Sequence, residues 1–178
     1  GCYDLQSQYY GTYTRADYWH EPVLRYIDPT VPIACAVIDH NDLNHVNMCL
    51  ADRYAMSDEV RNFKGHLGEF PRVMAYGRKV DNLRRRYADF LWNGEFLDVL
   101  GATVKGDNIR YTVFRNLKNG KKAVVVYNVD TKKANTASIS IDGSSAPLVM
   151  ASPEKPAPAK FTGSVTLGPQ SAVVIMEK

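Results

Sequence analysis

The residues best equipped for chemistry crowd together in one place. Residues 31 to 47 read VPIACAVIDHNDLNHVN, and eight nearly apolar residues end there at Asp39. Asp39, His40, Asn41, Asp42, Asn44 and His45 follow within seven positions. Carboxylates and imidazoles move protons, and carboxamides both donate and accept hydrogen bonds. Such a cluster closing a buried segment reads as the rim of a binding site. Metal chemistry fits poorly: His40 and His45 are five residues apart, not the i,i+4 of a helical metal pair, and no CxxC or Cys/His ligand spacing occurs. A simpler role exists for two of the acids, since Asp42 or Asp39 before an apolar periodic run is a common helix N-cap.

The elements that position this cluster are legible in outline. The apolar, partly β-branched run at 31–38 predicts a strand buried on both faces. A helix is expected to begin at Asp42 or Leu43 and run to about Ala55, with Leu43, Val46, Met48, Leu50 and Tyr54 as its apolar positions. A shorter helix is expected from Asp58 through Glu59, Val60 and Phe63, ending before Gly65. The clearest helix is predicted over 70–92. Val73, Tyr76, Val80, Leu83, Tyr87 and Phe90 recur at spacings of three and four, Pro71 suits its first position, and Gly94 supplies its stop. Its Arg84-Arg85-Arg86 triplet reads as a solvated face with packed stems rather than a phosphate site. Glu69, just ahead of the helix, reads as a favourable charge near its N-terminus.

Beyond Asn93-Gly94 the pattern changes. Strands are expected at about 96–104, 109–116, 121–129, 135–141, 147–151, 160–167 and 171–177, parted by Gly, Pro, Asn and Asp. Asn119-Gly120 is a hairpin signal, because both residues tolerate positive φ. Seven short strands separated by turns predict an antiparallel β-sandwich. The chain is thus read as α/β followed by all-β, with a boundary between residues 1–94 and 95–178.

Composition narrows the function classes. The 178 residues are 45% hydrophobic and 23% charged, ordinary values for a globular chain. A net charge of +3 without a long basic tract argues against a nucleic-acid partner. No apolar run reaches the roughly 18 residues that a membrane-crossing helix needs. Cys2, Cys35 and Cys49 give no disulfide framework from spacing alone and read as buried or idle thiols. Neither an initiator Met nor a signal-peptide pattern opens the sequence, so a processed product or a fragment is expected. Seven Tyr or Trp side chains in the first thirty residues (Tyr3, Tyr9, Tyr10, Tyr13, Tyr18, Trp19 and Tyr26) suit either a core or a sugar-stacking cleft.

A last strand and helix, then an Arg-rich helix ending in YADFLWNGEF, then a strand module with YTVFRN and AVVVYNV, resembles the C-terminal part of (β/α)8-barrel glycoside hydrolases. In those enzymes a small β-sandwich follows the final barrel helix. The resemblance implies a partial (β/α)8-barrel segment in residues 1–94 and an accessory sandwich in 95–178. A full barrel takes about 250 residues, so at most the last two or three βα units are expected, with the rest upstream or on a complementary chain. Active sites of such barrels lie where strands end and βα loops begin. The resemblance therefore implies Asp39 and Glu21 as catalytic carboxylates, with Trp19, His20, His40 and Asn41 binding a carbohydrate substrate. It implies hydrolysis by paired carboxylates, no cofactor, no resident metal, and a secreted or periplasmic location.

Two other readings compete. The chain would serve as a non-catalytic carbohydrate-binding or structural module if its sandwich displayed aromatic platforms; the candidates there are Phe96, Tyr111, Phe114, Tyr127 and Phe161. A self-contained small enzyme using Asp39, His40 and a cysteine is disfavoured, since a thiol inside the apolar strand is unsuited to nucleophilic work.

Overall fold

A computed structural model describes residues 23–30, 32–37, 43–58 and 66–178. Its elements form three layers: a helical layer with a short parallel strand pair, a six-stranded sheet, and a three-stranded sheet. The first layer contains α1 (Val23–Ile27), β1 (Ala34–Val37), α2 (Asn44–Ala51), β2 (Ala55–Asp58), a 3-10 turn (Leu67–Glu69), α3 (Pro71–Arg86) and α4 (Ala88–Leu91). The β1 and β2 strands run parallel, Ala34 opposite Ala55 and Val37 opposite Asp58, with α2 as the crossover. A parallel pair needs such a crossover, and a helix is its usual form.

The strands of the second half are β3 (Glu95–Phe96), β4 (Ala102–Lys105), β5 (Ile109–Arg115), β6 (Lys122–Asn128), β7 (Asn135–Ile141), β8 (Leu148–Ala151), β9 (Ala159–Lys160), β10 (Ser164–Leu167) and β11 (Ala172–Glu177). They make two antiparallel sheets, ordered β3-β5-β6-β11-β8-β9 and β10-β7-β4. The large sheet is the middle layer. In β6, Val124 and Val126 join a core with Ile139 and Leu167, whereas Val125 and Tyr127 join one with Leu50, Leu83 and Leu91. In β11, Val173 and Ile175 face the first core, and Val174 and Met176 the second. Period-two alternation here sorts side chains between two cores, which is why AVVVY and AVVIM read as unbroken apolar runs. Strand β7 covers the outside, and its buried Ala137, Ile139 and Ile141 alternate with exposed residues.

Several boundaries differ from the sequence reading. The helix expected to run to about Ala55 stops at Ala51, and Arg53 turns the chain with φ 56°. Ala55–Asp58 is then a strand where the beginning of a short helix was expected; the remainder of that segment, 59–65, lies outside the described residues. The helix expected over 70–92 breaks at Tyr87 into α3 and α4. The strand expected over 96–104 splits into β3 and β4, with Asp98 (φ 52°) and Gly101 (φ 93°) between them. The strand expected over 160–167 splits at Gly163 (φ 102°). In the β5–β6 hairpin only Gly120 of the Asn-Gly pair takes positive φ (74°). The turn there is wider than two residues, closed by Gly120 N–H on the Asn116 carbonyl and by Asn116 N–H on Lys121.

The N-cap position of α2 is Leu43, which carries no side-chain cap; Asp39 and Asp42 lie outside the described residues. Among the described residues the parallel strands number two rather than a barrel. No described helix is long and apolar enough to cross a membrane.

Candidate functional site

Because β1 and β2 are parallel and in register to their ends, the chain leaves both at the same place, beside Val37 and Asp58. In α/β folds, ligands bind beyond the carboxyl ends of such strands. The chain that continues from Val37 carries Asp39, His40 and Asn41. All six site residues read from the sequence, Trp19, His20, Glu21, Asp39, His40 and Asn41, lie outside the described residues, so their mutual geometry is not part of the structure. Asp58 occupies the last register position of the pair. Sequence reasoning put it in a helix because the turn at Arg53 uses neither Gly nor Pro and leaves no signal.

The polar crowd that opened the sequence reading divides at Leu43. Asn44 and His45, taken there with the rim, are buried in the first turn of α2. The Asn44 carboxamide donates to the Val129 carbonyl (2.9 Å). One turn on, Asn47 donates to the Gln170 carbonyl (3.0 Å) and accepts from the Tyr76 hydroxyl (2.6 Å). On the far end of α2, Thr112 of β5 donates to the Ala51 carbonyl (2.6 Å). Burying these groups is tolerable because they are paired, and together they bolt the crossover helix to the large sheet. Tyr76, held in that interior, has its phenol pKa raised, first by burial and then by the Glu154 charge. These positions are structural, and they correct the reading of Asn44 and His45 as rim.

A cavity of about 370 Å³ opens at the opposite end of the parallel pair, beside Pro32, Ile33 and Ala55. Arg25, Arg53, Trp92 and Phe96 contribute to its wall. Both guanidiniums are engaged by backbone: Arg25 donates to the Asp52 carbonyl (3.0 Å) and the Arg53 carbonyl (2.7 Å), and Arg53 to the Gly94 carbonyl (2.6 Å) and to that of Pro29. Burial, reinforced by the neighbouring Arg53 charge, lowers Arg25 to about 10, and burial also lowers Arg53. Glu95, the one acid on this wall among the described residues, accepts from Arg115 Nε at 2.7 Å. Among the described residues, a paired carboxylate beside two occupied cations offers a binding surface but no acid–base pair. Among the described residues no group of three or more His, Cys, Asp or Glu side chains is placed to hold a metal ion.

No protein-family profile matches the chain. No curated protein matches it either. Among solved structures, it aligns with a xyloglucanase of Paenibacillus polymyxa from glycoside hydrolase family 44, at 14% identity and a TM-score of 0.41. The alignment covers 82% of this chain and 32% of that one, so the chain spans about a third of the length of the xyloglucanase. A likeness at this level does not bear on activity.

Proposed function

We propose that this chain is the C-terminal portion of a glycoside hydrolase, comprising the last βα units of its barrel (residues 1–94) and an accessory sandwich (residues 95–178). The reading is carried by the parallel β1–α2–β2 unit, whose two strands end together just before Asp39, His40 and Asn41. A long helix and an antiparallel sandwich then follow in the order the resemblance implies. The substrate is an oligo- or polysaccharide. Asp39 and Glu21 act as carboxylates at the mouth of the barrel, one protonating the leaving oxygen and the other serving as nucleophile or base. Trp19, His20, His40 and Asn41 hold sugar rings and hydroxyls, and strands upstream of this chain supply the rest of the wall.

The rival reading, a sandwich that itself binds sugar, needs exposed aromatic platforms. Phe96, Phe114, Tyr127 and Phe161 are all buried, and Tyr111 packs against the inter-sheet core. The strand half therefore offers little to stack a sugar on.

The test compares this chain with a longer polypeptide that carries the upstream barrel, both assayed on a panel of polysaccharides. The longer protein is expected to turn over glycosides, and the chain alone is not. In the longer protein, Asp39→Asn should lower kcat by about 10²–10⁴-fold, whereas Trp19→Ala should act mainly on KM. Turnover by the chain alone, or full activity in the Asp39→Asn protein, overturns the proposal.

A further inference from the structure

The cavity of about 370 Å³ beside Pro32, Ile33 and Ala55 plays no part in the proposed catalysis, which uses the other end of the parallel pair. Its size is that of a small-molecule site. Four consecutive residues, Trp92 to Glu95, run along its wall. Trp92 is 46% exposed, and Leu117 on the same wall is exposed as well.

Trp92 is held as a platform. The Arg84 guanidinium lies 4.9 Å from its ring centroid and is itself fixed by the Cys49 and Tyr54 carbonyls. Arg84 takes no part in the cavity wall, so guanidinium and cavity meet different sides of the indole. The backbone beyond is equally fixed. Asn93 N–H donates to the Ala88 carbonyl (2.7 Å), Gly94 N–H donates to that of Phe90 (3.2 Å), and the Gly94 carbonyl accepts from Arg53. The Asn93 side chain is exposed and makes no hydrogen bond with another described residue. Both Arg115 bonds to Glu95 fall on Oε2, which leaves Oε1 able to accept.

We propose that this cavity is a second, non-catalytic saccharide site: a neutral sugar ring lies against Trp92, and Asn93 and Glu95 Oε1 take its hydroxyls. A pyranose has an apolar C–H face that packs on an aromatic ring, and an edge of hydroxyls that both donate and accept. A carboxamide supplies both functions, and a carboxylate oxygen accepts. An anionic ligand fits worse, because Arg25 and Arg53, the cations on this wall, are engaged by backbone carbonyls and Glu95 adds negative charge. A platform fixed before the ligand arrives spares the ordering cost of binding. The ligand class comes from this wall alone and does not depend on Asp39 or Glu21.

Trp19 and Trp92 are the two tryptophans, so Trp19→Phe makes Trp92 the sole indole reporter. The chain with that change is titrated with cellohexaose, xylohexaose and mannohexaose, followed by tryptophan emission and calorimetry. At least one of these sugars is expected to shift the emission to shorter wavelength and to saturate. Asn93→Ala should weaken that binding about 3–10-fold, through loss of one hydrogen bond, with an unchanged urea midpoint. Trp92→Ala should weaken it by about tenfold or more in calorimetry. No saturable signal from any of the sugars, or equal affinity in the Asn93→Ala and parent chains, overturns the proposal. A response to 4-hydroxybenzoate without one to the sugars also overturns it, since the cavity then takes aromatic acids. Turnover by the longer protein is read separately, so this site and the catalytic one stand or fall independently.

Discussion

Arg84 and Arg85 are adjacent on α3 but face different surroundings. Arg84 is 4% exposed, donates to the Cys49 carbonyl at 2.7 Å and the Tyr54 carbonyl at 2.9 Å, and lies over the Trp92 ring at 4.9 Å. Its charge meets the carbonyl end of α2, where the helix dipole favours a cation. Burial nonetheless lowers its pKa, because desolvation outweighs that help. Arg85 reaches back one turn to Asp81 at 2.6 Å from an exposed surface. Replacing Arg84 by Met should strip two buried carbonyls of a charged donor and cost on the order of 3 kcal/mol in urea unfolding. Arg85→Ala should leave the urea midpoint unmoved, as exposed ion pairs contribute little. The sequence reading of the triplet as a solvated face holds for Arg85 and Arg86, which are exposed, and not for Arg84. Nothing in three identical letters says which one points inward; the phase of the helix against α2 decides it. In DHNDLNHVN the helix start was legible, expected at Asp42 or Leu43 and found with Leu43 at the N-cap, but the burial of Asn44 and His45 was not.

At the scale of elements, the join between helical layer and sheets depends on Gly94. A Cβ there would stand 2.3 Å from the Phe90 carbonyl oxygen and 2.9 Å from that of Arg115, both backbone atoms with little freedom to move. Gly94→Ala should therefore cost about 2–3 kcal/mol, a forced overpacking. Gly120→Ala, at a turn with open space but φ of 74°, should cost only about 1 kcal/mol from backbone strain. Midpoints from denaturant titration, with unchanged slope, would check both. The sheets were legible where turns carry a conventional breaker, as at Gly106-Asp107 and Asp142-Gly143. They were misread where a non-glycine residue takes the left-handed conformation, as Asp98 does between β3 and β4 and Arg53 does before β2, and at Gly163, a single glycine inside an expected strand that parts β9 from β10. A helix end without Gly or Pro, at Tyr87, escaped notice for the same reason.

Over the whole molecule, the two stretches of sequence with different patterns share a core. Leu50, Tyr54, Leu83 and Leu91 from the first pack with Phe114, Val125, Tyr127 and Val174 from the second. Unfolding should accordingly be one cooperative transition, with far-ultraviolet and near-ultraviolet circular dichroism melting together. Two separated midpoints would show that the layers come apart independently. A change of grammar along the chain reports a change of secondary structure; it does not report which surfaces will later be pressed together.

The placement of β11 has a consequence for biosynthesis. It follows the other described strands in chain order yet lies between β6 and β8 in the middle of the large sheet. A ribosome releases its product from the N-terminus onwards, so β6 and β8 emerge with a vacant lane between them and wait for the keystone. A stop codon within β11 should thus yield insoluble protein, whereas deletion of the outer strand β9 would be forgiven.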